Sequence, residues 1–76
     1  MFERITFDPQ IMGGRACIRG MRITVSLLVN LVANGMTTDQ ILREYPDLEE
    51  EDVKQALQYA ASLASEEIHP LSGSHP

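Results

Sequence analysis

Arg15, Arg19 and Arg22 stand close together in the N-terminal part of the chain. Guanidinium groups grip carboxylates and phosphates in bidentate fashion, so the chemistry they offer is anion binding. Their surroundings sharpen the point. Cys17-Ile18-Arg19-Gly20-Met21-Arg22-Ile23-Thr24 reads as a hairpin, with Gly20-Met21 as a two-residue type II′ loop. In that register Arg19 faces Arg22, Ile18 faces Ile23 and Cys17 faces Thr24. Two like charges about 5 Å apart destabilise a strand pair unless an anion joins them. The bland alternative is that these arginines pair with the chain's own acids, which are plentiful. An irregular link is the alternative to the tight hairpin. From the residues alone both questions stay open.

Other chemistry is poorly served. Nucleophilic catalysis needs a nucleophile, a base and a group that orients the base. The two histidines, His69 and His75, lie near the end of the sequence and read as solvated. Cys17 stands alone on an expected strand and reads as a small buried residue. Met12-Gly13-Gly14-Arg15 lacks the spacing and lysine of a phosphate loop, so the glycines read as a turn. Glu49, Glu50, Glu51 and Asp52 lack the alternating ligands and glycine of a calcium loop. The expectation is a binding protein, not an enzyme, with no cofactor and no metal.

The elements that must position the arginines follow from pattern. Arg4 to Phe7 alternates as a half-buried strand does, and Asp8-Pro9 breaks it. A helix is expected from Val25 to Asn34, capped by Thr24 and followed by Gly35. A second runs from Thr37 to Tyr45, with the capping-box spacing Thr37 to Gln40, and Pro46 stops it. A third starts near Glu49 or Glu50 and runs to about Glu67, with Val53, Leu57, Ala60 and Ala64 as its apolar stripe and Ala56 and Leu63 alongside. The fold class is therefore mainly α with a short N-terminal β region: a three-helix bundle whose second and third helices have the geometry of a helix-turn-helix. The third helix opens on four acids, which DNA phosphates would repel. Lys54, Gln55 and Gln58 are its polar side chains suited to base or phosphate contact.

Length and charge set the frame. The chain has 76 residues, room for one domain (1–69) with a disordered tail over 70–76. A domain this small buries only about 60% of its unfolded surface, so a homodimer or higher homo-oligomer is expected. The net charge is −5 and is unevenly spread. Residues 1–36 hold four arginines against two acids, net +2; residues 37–76 hold two basic residues against nine acids, net −7. A single cysteine, no opening signal segment and no bilayer-length apolar run lead to a cytoplasmic expectation, with no membrane partner.

Several segments carry a resemblance. Ile5-Thr6-Phe7-Asp8-Pro9, Met12-Gly13-Gly14-Arg15, Cys17-Ile18-Arg19-Gly20 and Arg22-Ile23-Thr24-Val25 resemble the domain of unknown function family numbered 433. Tyr45-Pro46-Asp47-Leu48, Glu51-Asp52-Val53 and Ala56-Leu57-Gln58-Tyr59-Ala60-Ala61 resemble its remainder. Ala16 and Met21 depart from the pattern, standing where proline and threonine are usual. The resemblance implies a helix-turn-helix or winged-helix-like fold, often dimeric, similar to VapB-type antitoxins. The implied function is neutralisation of a PIN-like ribonuclease toxin, with promoter DNA as a further partner. A stand-alone DNA-binding transcriptional regulator is the alternative, and an assembly module using only helix faces is a third.

Overall fold

Thr24 starts the first helix because its Oγ1 accepts the Leu27 N–H at 3.0 Å. This helix, α1 (Val25–Ala33), stops in a Schellman motif: the Gly35 N–H donates to the Val32 carbonyl and the Met36 N–H to the Leu31 carbonyl, each at 3.0 Å. Gly35 has φ of +96°, which a residue with a Cβ would adopt only under strain. α2 (Thr38–Glu44) opens on a reciprocal capping box, with the Gln40 N–H donating to Thr37 Oγ1 and the Thr37 N–H donating to Gln40 Oε1. Tyr45 caps its end, ahead of Pro46. In the link that follows, Leu48 is buried and its N–H donates to the Tyr45 carbonyl. α3 (Glu50–Ser74) then begins, and its assignment continues beyond the end expected near Glu67.

This computed structural model describes residues 2–74, with side chains described as far as Ala64. The tail expected over 70–76 lies outside those described side chains. Among the described residues the architecture is three helices and one two-stranded antiparallel sheet. None of those helices is long and apolar enough to cross a membrane.

The sheet pairs β1 (Ile5–Thr6) with β2 (Cys17–Ile18), Ile5 opposite Ile18 and Thr6 opposite Cys17. Cys17 also bridges Thr24, and the Ile18 N–H donates to the Ile23 carbonyl at 3.0 Å, as the hairpin reading expects. The turn itself differs. Met21 N–H donates to the Ile18 carbonyl at 2.7 Å, so Arg19-Gly20, and not Gly20-Met21, is the central pair. Both have positive φ, +46° and +72°, the signature of a type I′ turn. Arg19 therefore sits in the turn and does not face Arg22 across a strand pair.

The core joins Ile5 and Ile18 from the sheet, Val25 and Leu28 from α1, Ile41 from α2, Leu48 from the link, and Val53 and Ala56 from α3. α1 packs chiefly on α3. The apolar stripe of α3 is covered only along its first half: Val53 and Ala56 are buried, Leu57 and Ala60 half-buried, Leu63 and Ala64 exposed.

Candidate functional site

The left-handed turn aims the Arg19 side chain at the start of α3. There it meets Asp52, the third residue of the helix, whose side chain has no exposure. Asp52 Oδ1 accepts from Arg19 Nε at 3.0 Å and from Arg4 Nη1 at 2.9 Å. Oδ2 accepts from Arg19 Nη2 at 2.7 Å and from the Glu49 N–H at 2.8 Å. Arg4 Nη1 also reaches Glu49 Oε1 at 2.7 Å, and Arg19 Nη2 reaches the Asp47 carbonyl at 2.9 Å. The result is a clamp: one buried carboxylate with four donors, locking both sheet strands and the Arg19-Gly20 turn to the N-terminus of α3.

Burial alone would push the Asp52 carboxyl up. The hydrogen bonds from Arg19, the Glu49 N–H and Arg4 outweigh it, and the group titrates at about 2. Hydrogen bonds to Glu49 and Asp52 hold Arg4 above its ordinary range, and the hydrogen bond to Asp52 does the same for Arg19. The clamp takes up Nε and Nη2 of Arg19 and fixes the direction of its guanidinium, while the side chain stays 37% exposed. The clamp is thus built to hold the fold, and Arg19 answers to the bland alternative of an ion pair within the chain.

Arg15 and Arg22 are placed differently. Both are exposed, and among the described residues neither makes an ion pair or a side-chain hydrogen bond. Arg15 leaves a left-handed turn over Met12–Gly14, with φ of +52°, +68° and +85°. It lines a groove of about 650 Å³ between α1 and α3. Val25 and Val29 form one wall, Tyr59, Ala60 and Leu63 the other, and Phe7 closes an end. Phe7 meets Tyr59 edge-on at 6.0 Å between ring centroids, and Phe2 meets the same ring at 5.5 Å. Yet Phe7 remains 57% exposed and Leu63 53% exposed. Aromatic and long apolar side chains left open beside an arginine are the composition of a protein-binding surface.

The polar residues expected on α3 divide. Lys54 and Gln58, four residues apart on one face, are exposed. Gln55 is corrected: it is buried, and its Oε1 accepts the Arg4 backbone N–H at 3.1 Å. It holds the chain just before β1 and is unavailable to a nucleic acid. Asp52, Arg4 and the Phe7–Tyr59–Leu63 groove were not singled out from the sequence. Helical phase carried a signal for Asp52, since positions 52, 56 and 59 fall on the inward side of α3.

Comparisons with known proteins bear on the whole domain. The family described as Protein of unknown function (DUF433) matches residues 5–60. The crystal structure of a DUF433 member protein from Anabaena variabilis is similar, with a TM-score of 0.76 and 30% identity, over 91% of this chain and 68% of that one. Uncharacterized protein y4eO of Sinorhizobium fredii is 34% identical over 71 residues, 93% of this chain. Those residues are 29% of that protein, so the chain spans under a third of the length of this curated relative.

Proposed function

The chain belongs to the DUF433 family, and from that premise we propose that it is a binding module of antitoxin type, which neutralises a PIN-like ribonuclease by presenting arginines to the nuclease's acidic centre. The observation that carries this reading is that Arg15 and Arg22 stay exposed and unpaired among the described residues, in a chain with eleven acids. Arginines with so many acids of their own to pair with, yet left open, suit an external carboxylate cluster. A guanidinium entering a cluster that holds a divalent metal would compete with the metal's charge and block it. Arg19 ranks behind these two as a direct contact, because the clamp engages its Nε and Nη2.

Co-expression tests this. Arg15→Glu with Arg22→Glu is expected to abolish protection of cells from a PIN-like ribonuclease encoded beside the chain. Protection that survives the double reversal overturns the reading.

One observation favours a second reading. α2 and α3 are joined by the short link 45–49, which suits a helix-turn-helix, and Lys54 and Gln58 share an exposed face of the second of these helices. A DNA-binding regulator would use that face. The exposed Glu49, Glu50 and Glu51 at its start oppose phosphate approach. A gel shift on the upstream DNA separates the readings: binding by the chain alone supports the regulator.

A further inference from the structure

We propose that the groove between α1 and α3 seats an acidic amphipathic helix of a partner protein, with its apolar side chains against Val29, Tyr59 and Leu63 and a carboxylate on Arg15. This deepens the antitoxin reading. It rests on that reading for Arg15 meeting a partner's carboxylate, not for the partner being a nuclease, and it adds the element that carries the carboxylate. The first ground is where apolar surface stays open. Among the described residues the large hydrophobic side chains left exposed are Phe7, Met12 and Leu63. Phe7 and Leu63 line the groove, and Met12 begins the left-handed turn that delivers Gly14 and Arg15 to it. Single exposed apolar side chains are ordinary on a surface, but their gathering at one place marks a binding face.

The second ground is the shape of the walls, which decides what kind of segment fits. On α1, Val25 and Val29 stand one turn apart on one face, and on α3 Tyr59 and Leu63 do the same. Two helix faces side by side leave a furrow that takes the side-chain ridge of a third helix. The small side chain of Ala60 on that wall lets the third helix come close. An extended segment would need an open sheet edge to pair with, and the backbone of these walls is bonded within α1 and α3. A small molecule's site encloses most of its ligand. Here Phe7 and Leu63, each more than half exposed, leave the groove open to solvent.

The third ground is charge. Arg15 is the charged residue of the lining, and among the described residues it makes no ion pair or side-chain hydrogen bond. A cation beside an apolar furrow repels a basic helix and grips a carboxylate in bidentate fashion. The backbone that places Arg15 points the same way. The turn before it passes through Met12 at φ of +52°, left-handed in a residue that carries a Cβ. Strain of that kind gathers where a chain must present a side chain for binding. A neutral helix would fill the furrow as well, but would leave Arg15 unmatched.

Amide chemical-shift titration of the full, isotope-labelled chain with synthetic helical peptides tests the proposal. Each peptide has about 18 residues, enough to hold a helix. Each carries leucines one turn apart and, a turn further on, glutamate, glutamine or lysine. The glutamate peptide is expected to shift the amides of Val29, Ala60 and Leu63 with a Kd below about 1 mM. The lysine peptide is expected to bind at least about fivefold more weakly, with glutamine between them. Arg15→Glu, at an exposed position, is expected to reverse that order, and Leu63→Ala to weaken all the peptides alike. The peptide series on the wild type stands alone, so a variant that misfolds leaves the test intact. No groove shift at ~1 mM glutamate peptide overturns the proposal. So do equal affinities across the series, or shifts centred on the separate cleft that Lys54 shares with Thr38. Groove shifts that follow dilution of the chain alone would assign the groove to a second copy, and shifts reproduced as strongly by decanoate would assign it to a small acid; either overturns the proposal. Peptide binding in the groove, with nuclease protection indifferent to Arg15→Glu and Arg22→Glu, would overturn only the antitoxin reading. Failure of the peptides with protection abolished by those reversals would overturn only the helix.

Discussion

Arg4 and Arg19 end on a carboxylate with no exposure, whereas Arg15 and Arg22 end in solvent. All four are arginines of the same short N-terminal region, so residue type does not separate them. What separates them is a residue far along the chain. Asp52 lies on the inward side of α3, and the sheet and its turn bring Arg4 and Arg19 to it. The same side chain is therefore a fold element in one pair and, among the described residues, an exposed group without an ion partner in the other. The distinction rests on one buried acid, so it can be probed there.

The greatest disturbance is Asp52→Ala. Removing the carboxylate deletes the acceptor of four donors, the Glu49 N–H among them, and leaves Arg4 with Glu49 and Arg19 with the Asp47 carbonyl, an expected loss of about 2–3 kcal/mol. That is a large share of the roughly 5–15 kcal/mol margin of a small domain. Urea unfolding reads it directly; a loss under about 1 kcal/mol would erase the difference between the two pairs. Acid comes next. The Asp52 carboxyl titrates at about 2 in the folded chain, below its ordinary value of 3.8. A depressed folded value means the stabilisation is complete above the unfolded value and is lost as pH falls through the folded one. On the order of 2 kcal/mol is expected to disappear between about pH 4 and pH 2. An acid-stability profile shows this if Asp52→Asn flattens it.

Arg19→Lys should have a smaller destabilising effect, because lysine cannot reproduce the Nε and Nη2 fork on both Asp52 oxygens. A neutral result in thermal unfolding would mean that the fork geometry contributes nothing beyond charge. The smallest stability effect belongs to Arg15→Ala and Arg22→Ala, each within about 0.5 kcal/mol. A clearly larger loss would show that these two also serve the fold.

The contrast also marks what the sequence made legible. Helix caps were readable because each is settled within a few residues: Thr24 with Leu27, Thr37 with Gln40, Gly35 after α1. The pairing of Cys17 with Thr24 was readable for the same reason. The turn between them was not placed correctly, because a type I′ turn asks for Asn, Asp or Gly at the position Arg19 holds. Arg19 accepts a left-handed backbone there while its side chain is bound to Asp52, 33 residues away. Asp52 itself was hidden in a run of four acids whose first-turn position already had a sufficient explanation in the helix dipole. Gln55 was misassigned similarly: a polar residue on a helix reads as surface until a distant backbone N–H is known to need it. The groove depends on α1, α3 and Phe7 converging, which no local pattern encodes.

The clamp also sets an order of events during synthesis. Within this domain β1 is made before its anchors: it is held through Arg4, and Glu49, Asp52 and Gln55 come more than forty residues later. Until they emerge, β1 and β2 can pair only as an isolated two-stranded ribbon, which is marginal in water. The arrival of Asp52 engages Arg4 and Arg19 and leaves Arg15 and Arg22 as they were, so completion of the domain itself sorts the four arginines.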